Sequence, residues 1–84
     1  MIRKEKLLVK LKRRPRGFTW NELTALLRGV GYKEFKPGKS GGSRRRFIHA
    51  TAPPIILNKP HPDNDLKRYI IDYVIEILER EGMI

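Results

Sequence analysis

Residues 32–59 read YKEFKPGKSGGSRRRFIHATAPPIILNK, and this stretch decides the fold. It holds three short runs that are rich in β-branched, aromatic and basic residues and are separated by segments rich in Gly, Pro and small residues, which predicts three strands. The predicted strands span residues 32–36, 43–50 and 54–59. The connections between them are too short for the crossover that a parallel pair needs, so the sequence predicts an antiparallel meander.

A helix is predicted on each side of these strands. Thr19 and Glu22 have the spacing of a capping box, so a helix should begin after Thr19 and end near Val30. A second helix should run from residue 66 or 67 to residue 81, because apolar residues recur there with the helical period. Leucines at helical spacing predict a further, short basic helix over residues 3–13.

The predicted elements pack naturally as two layers. We expect an α+β fold with an α-β-β-β-α order, a three-stranded antiparallel sheet with the helices on one face, and an extra N-terminal helix. The same order is shared by double-stranded-RNA-binding domains. Because one fold supports many functions, this order alone does not predict an activity.

The charge of the chain favours a polyanionic partner. Its 84 residues include 19 Lys or Arg and 9 Asp or Glu, which gives a net charge of +10. Counted along the sequence, residues 1–18 carry +7, residues 19–62 carry +6 and residues 63–84 carry −3. A basic surface of this kind fits nucleic acid, because each neutralised phosphate releases counterions. The alternative is an ordinary solvated surface, which usually mixes both signs.

The composition argues against several other classes of protein. Without cysteine there is no disulfide and no thiolate zinc site, and the two histidines have no carboxylate cluster near them, so neither a metal nor a cofactor is expected. The longest apolar runs are far shorter than the roughly 20 residues that span a bilayer. Since the N-terminus does not resemble a signal peptide, we expect a single domain in the cytoplasm with no membrane partner.

Two motifs suggest a family. Residues 41–47 read GGSRRRF and residues 59–62 read KPHP. They resemble the Gly-Ser-His-x-x-Phe strand and the Pro-His-Pro turn of the HicA toxins. The similarity extends through the Phe-Thr-Trp-x-Glu-Leu helix start, the Gly-Tyr before the first strand and the His-Pro-x-x-x-Leu-Lys entry to the last helix. It divides the chain into a basic N-terminal helical extension, residues 1–17, and a HicA-like RNA-binding domain, residues 18–84.

The resemblance implies a function and two partners. It implies the toxin of a type II toxin-antitoxin system, an endoribonuclease of the mRNA interferase type, which binds mRNA and is neutralised by a HicB-like antitoxin. An antitoxin has to block a phosphate-binding surface. We therefore expect an acidic segment of it to cover Arg44, Arg46 and the loop of residues 38–42.

Arg44 departs from the family pattern, because it occupies the position of the family's catalytic histidine. Attack of a 2′-hydroxyl on its own phosphate needs a base, an acid and positive charge for the phosphorane. Arginine supplies only the charge, since its pKa lies above about 12. The predicted catalytic residues are Arg44, for charge stabilisation, and His61, for proton transfer. The alternative for His61 is a turn residue, and His49 is expected to have a structural role at the rim of the core.

Further RNA-binding residues are predicted around Arg44. They are Lys36, Lys39, Gly42, Ser43, Arg45, Arg46 and Lys59. If Phe47 points into the core, strand alternation points Arg44 and Arg46 to the open face. The Gly-rich loop before them favours phosphate binding over a merely solvated charge run. The aromatic residues lack the spacing of an RNA-recognition-motif platform and are mostly expected in the core; they include Trp20, Tyr32, Phe35, Tyr69 and Tyr73.

Three functions stay open from the sequence. The first is an RNA-cleaving toxin of the HicA type, or an Arg44 variant of it that keeps the fold and antitoxin binding. The second is a non-catalytic RNA-binding module. The third is a small interaction or DNA-associated protein, although three strands between the helices disfavour a helix-turn-helix. A neighbouring reading frame for a HicB-like protein would favour the first.

Overall fold

The computed structural model describes residues 4–35, 43–60 and 65–84. Its elements are helices α1 (Lys4–Lys12) and α2 (Trp20–Gly29), strands β1 (Lys33–Phe35), β2 (Arg44–Ile48) and β3 (Ile55–Asn58), and helix α3 (Arg68–Arg80). The strands form one antiparallel sheet in the order β1-β2-β3, so β1 and β3 are its edges. The predicted α+β fold, with its α-β-β-β-α order and an additional N-terminal helix, is confirmed.

The capping box at the start of α2 forms as predicted. The backbone N–H of Glu22 donates to Oγ1 of Thr19 at 3.1 Å, and the backbone N–H of Thr19 donates to Oε1 of Glu22 at 3.0 Å. These two bonds satisfy donors that a helix start otherwise leaves unpaired. After α2, Gly31 adopts a φ of 105°, where a side chain would be strained. The helix therefore ends where the sequence indicated.

The core lies between the helices and the sheet. Helix α3 contributes most of one wall, with six buried apolar side chains that include Ile71 and Leu78. Trp20 of α2 packs against Phe47 of β2, with 5.7 Å between the ring centroids. Helix α1 adds Leu7 and Leu11, which are 2% and 0% exposed. All three helices therefore share one core with the sheet. No helix in the described ranges is long and apolar enough to cross a membrane.

Side chains alternate between the two faces of the sheet. Phe47 of β2 and Ile55 and Leu57 of β3 are buried beneath the helices. The side chains of Arg46, Ile56 and Asn58, which alternate with these buried residues along the strands, point to the opposite face and are exposed. This alternation follows from the 2-residue period of a strand. The open sheet face consists of the exposed residues Lys33, Phe35, Arg44, Arg46, Ile56 and Asn58. The expectation that the helices cover one face only is thus correct.

Most predicted strand and helix boundaries differ from the observed ones by one or two residues, and specific hydrogen bonds accompany two of these differences. Strand β2 ends at Ile48 rather than at residue 50, because the ring of His49 accepts backbone N–H groups from Thr51 and Ala52 and so holds a turn. Helix α3 begins only at Arg68, and its N-cap residue makes no side-chain capping hydrogen bond. In place of a cap, the N–H of Leu66 donates to the carbonyl oxygen of Phe18 at 2.8 Å. That bond joins the chain before α3 to the chain before α2.

Candidate nucleic-acid interface

Arg44 and Arg46 lie on the central strand of the open sheet face. The register of the sheet places Phe35 of β1 and Ile56 of β3 directly opposite Arg46, one on each side. Arg44 lies opposite Asn58. Since side chains directly opposite each other have Cβ atoms about 5 Å apart, these five residues form two adjacent rows. One row carries a guanidinium between two apolar groups, and the other carries a guanidinium beside an amide.

The open sheet face is uniformly positive. Its charged side chains are Lys33, Arg44 and Arg46, and none of its six residues is acidic. Within the described ranges, neither Arg44 nor Arg46 forms an ion pair. Among the residues that the structure describes, no carboxylate therefore competes with an anion for these two guanidinium groups. Their planar arrays of donors match the oxygens of a phosphate.

Arg45 has different surroundings from its two neighbours. Its side chain is half-buried on the helix-covered side of the sheet, with Nε 3.6 Å from Oε2 of Glu34. Its Nη1 also donates to the carbonyl oxygen of Arg44 at 3.0 Å. The sequence grouped Arg45 with the RNA-binding residues, but strand alternation directs it away from Arg44 and Arg46. Its part in RNA binding stays a prediction, whereas its pairing with Glu34 ties β1 to β2.

Three of the predicted residues that the structure describes lie close together along the chain ends of β2 and β3. The N–H of Lys59 donates to the carbonyl oxygen of Ser43 at 2.8 Å, which extends the β2–β3 ladder by one pair beyond Arg44. Ser43, Arg44 and Lys59 are therefore neighbours. The other predicted site residues lie outside the described residues; they are Lys36, Lys39, Gly42 and His61.

His49 is held by hydrogen bonds at both ring nitrogens. Nδ1 accepts the N–H groups of Thr51 and Ala52 at 3.1 and 3.2 Å, so Nε2 carries the proton and donates to the carbonyl oxygen of Val30 at 3.0 Å. The ring also lies against Tyr32, at 4.9 Å between centroids. This geometry agrees with a structural role. In the described ranges, no group of three or more His, Cys, Asp or Glu residues is placed to hold a metal ion.

The expectation that the aromatic residues lie mostly in the core is wrong for three of them. Trp20 and Tyr32 are buried, but Phe35, Tyr69 and Tyr73 are exposed. Burial raises the pKa of Tyr32, and its hydroxyl donates to the carbonyl oxygen of Pro53 at 3.0 Å. Once Tyr32 points inward, alternation along the strand turns Phe35 outward. That parity was the signal in the sequence that would have placed Phe35 on the open sheet face.

The two exposed tyrosines belong to a second surface. Tyr69 and Tyr73 of α3 line a shallow groove of about 300 Å³ along the free edge of β3, together with Ile56. Ile56 and Asn58 line this groove and also belong to the open sheet face. Most of the residues that line this groove are apolar or aromatic, and neither Arg44 nor Arg46 lines it. The groove therefore lacks the phosphate-binding groups of the open sheet face.

Comparison with known proteins identifies a family. The family model of the HicA toxin of bacterial toxin-antitoxin systems matches residues 20–80, which include α2, the whole sheet and α3 but not α1. No curated protein and no solved structure matches the chain significantly. The matched span is well over half of the chain and contains both of the motifs that suggested the resemblance, residues 41–47 and 59–62. The chain therefore belongs to the HicA family of toxins of bacterial toxin-antitoxin systems.

Proposed function

We propose that this toxin binds and cleaves mRNA through its open sheet face and that a HicB-like antitoxin neutralises it. HicA toxins are generally ribonucleases, and this supports the reaction class. A toxin that acts on mRNA works in the cytoplasm, which is the location that the sequence predicts. The observation that carries the proposal is the exposure of Arg44 and Arg46 on a face whose described residues include no carboxylate.

Arg44 has a defined part in the proposed reaction. The 2′-hydroxyl attacks the adjacent phosphorus, the P–O5′ bond breaks, and the products are a 2′,3′-cyclic phosphate and a 5′-hydroxyl. The guanidinium stabilises the charge that develops on the phosphoryl oxygens in the phosphorane. It cannot accept the proton of the 2′-hydroxyl, since it stays protonated at any pH at which RNA is handled. Proton transfer is assigned to His61, two residues after Lys59 in the sequence.

His49 is a poor candidate for that proton transfer. A general base needs a ring nitrogen with a free lone pair near the substrate. Nδ1 of His49 already accepts two backbone N–H groups, and Nε2 donates to Val30. Using either nitrogen in catalysis would break hydrogen bonds that hold the turn after β2. The hydrogen bonds of His49 therefore favour His61 as the residue that transfers the proton.

The salt dependence of RNA affinity tests the proposal. The affinity of the wild type for a single-stranded RNA should fall as salt rises, by about 0.7 log units per log unit of salt for each phosphate neutralised. Replacing both Arg44 and Arg46 by Ala should weaken binding and reduce that slope by about 1.4, if each contacts one phosphate.

A matched control distinguishes the effect of the two arginines on the open sheet face from the effect of the protein's net charge. Arg13→Ala combined with Arg16→Ala removes the same charge from two exposed residues outside the open sheet face. This double variant should lower affinity less than the Arg44/Arg46 pair. Arg45→Ala tests the separate prediction that Arg45 binds RNA, because its side chain points to the other side of the sheet. Equal losses in the two double variants would show that only total charge matters.

The position of Arg44 favours one other function. In the family pattern this position carries the catalytic histidine, so a chain with arginine there can keep RNA binding and lose cleavage. On that alternative the protein is a non-catalytic RNA-binding module. RNA affinity with no cleavage at any pH would identify it.

The antitoxin is expected to compete with RNA for the same face. Charge complementarity speeds association and requires an acidic segment opposite Arg44 and Arg46. Cross-links from a HicB-like partner should therefore include residues of β2, and the Arg44/Arg46 double variant should bind the partner more weakly. Cross-links confined to the acidic helix α3 would contradict this placement.

A further inference from the structure

The open sheet face has an aromatic group beside its cations. Phe35 is 50% exposed, and Ile56, two strands away in the same row, is 47% exposed. A single exposed apolar side chain is ordinary on a protein surface. Phe35 differs from such an isolated apolar residue because cations surround it. Arg46 lies between Phe35 and Ile56, and Lys33 lies two residues from Phe35 on the same strand.

Charge and shape together select the occupant of this face. Phosphate contacts require only cations, and Arg44 and Arg46 supply them. A flat aromatic ring next to phosphate-binding groups supplies a surface on which a nucleobase can stack, as in proteins that bind single strands. In a duplex the faces of the bases are covered by their neighbours, so the exposed ring of Phe35 would have nothing to contact.

The spacing of the two arginines fits an extended strand. Residues two apart on one β-strand lie about 6.6 Å apart along it. Successive phosphates of an extended nucleotide chain have a similar separation. A strand that runs along β2 can therefore place one phosphate at Arg44 and the next at Arg46, with the base between them turned toward Phe35 on the neighbouring strand.

We propose that the open sheet face binds single-stranded RNA, with one nucleobase stacked on Phe35 and adjacent phosphates held by Arg44 and Arg46. This inference rests on the RNA binding proposed above. It adds a base-dependent contact to a phosphate-dependent one, and it makes the unpaired state of the RNA a condition of tight binding.

An affinity comparison on three probes tests the stacking contact. The probes are a single-stranded oligoribonucleotide, its duplex, and an abasic ribose-phosphate oligomer of the same length. Phe35→Ala should weaken binding of the single strand by about 5- to 150-fold, the range expected for one stacked base. It should leave affinity for the abasic oligomer unchanged. Val9→Ala is the matched control, because Val9 is an apolar residue of α1 that is 53% exposed and lies off the sheet.

A fluorescence measurement gives an independent readout. Phe35→Trp places an indole on the face, while the native Trp20 is buried and only 2% exposed. Single-stranded RNA should quench the emission of Phe35→Trp, and it should not quench the added indole of Val9→Trp.

The outcomes separate this inference from the proposed function. If Phe35→Ala binds the single strand as tightly as the wild type does, stacking is wrong while phosphate binding by Arg44 and Arg46 stands. If Phe35→Ala weakens only the binding of a HicB-like partner, the ring belongs to a protein interface and the inference is overturned. If the wild type binds neither the single strand nor the abasic oligomer, the proposed function itself fails.

Discussion

Nε2 of His49 lies 3.0 Å from the carbonyl oxygen of Val30, and this bond joins the end of β2 to the end of α2. With the two N–H groups that Nδ1 accepts, one imidazole satisfies three backbone groups. We expect His49→Ala to lower the free energy of unfolding by about 1–3 kcal/mol, because these groups lose their partner. Urea denaturation of both proteins measures the difference.

A conservative variant checks the cause of that loss. In His49→Asn the amide oxygen can take the place of Nδ1 and accept from Thr51 and Ala52, but the shorter side chain does not reach Val30. This variant should keep part of the stability. If His49→Ala is as stable as the wild type, the hydrogen bonds do not contribute to folding.

Helix α1 is predicted to be necessary for stability although it lies outside the family match. Leu11 is fully buried, so Leu11→Ala should lower the free energy of unfolding by about 2–5 kcal/mol. Val9→Ala on the exposed side of the same helix should change it by no more than about 0.5 kcal/mol. Similar small effects of both substitutions in urea denaturation would show that α1 folds as a separate extension, as the boundary at residue 17 implies.

The capping carboxylate of α2 should make stability depend on pH in acid. Partial burial alone would raise the pKa of Glu22, but the hydrogen bonds and charge of Lys10, at 2.6 Å, together with bonds from Thr19, outweigh burial and lower it. A carboxyl group whose pKa is lowered by folding stabilises the protein above its unfolded pKa, near 4.5, and loses that contribution as the pH falls through the lowered value.

Glu22→Gln tests this assignment. The variant should be less stable than the wild type at neutral pH, and the difference should shrink below about pH 4 as Glu22 of the wild type becomes protonated. Unfolding free energies measured from pH 7 into acid give the comparison. A difference that stays constant with pH would mean that the charge of Glu22 makes no contribution.

Cleavage assays test whether the protein is still a ribonuclease with arginine at position 44. A general acid or base contributes about 10²- to 10⁴-fold to a rate, so Arg44→His should cleave a labelled mRNA at least as fast as the wild type and by up to that factor faster. Arg44→Lys is the control, since it keeps the positive charge without restoring a base at neutral pH. His61→Ala should remove most of the wild-type activity. Undiminished cleavage by His61→Ala would exclude His61 from the mechanism.

The fold was predictable because its signals are local. The capping box at Thr19 and Glu22 and the change of period after Gly31 each involve residues close in sequence, and both are present in the structure. The position of Phe35 was harder to predict, since the three residues of β1 do not themselves show which face is buried and the parity has to be taken from Tyr32, which lies just before the strand. The ion pair between Arg45 and Glu34 depends on the register of β1 and β2, and no single segment carries that information.

The two edges of the sheet affect how the protein behaves at high concentration. An unpaired strand edge is a template for pairing with another chain, and long, flat edges lead to aggregation. Here β1 has three residues and β3 has four, with Pro54 directly before β3 and Pro60 two residues after it. Proline has no N–H to donate, so a pairing that started on β3 could not extend far in either direction. The short strands and their flanking prolines thus limit edge-to-edge association, even though the exposed apolar side chain of Ile56 favours it.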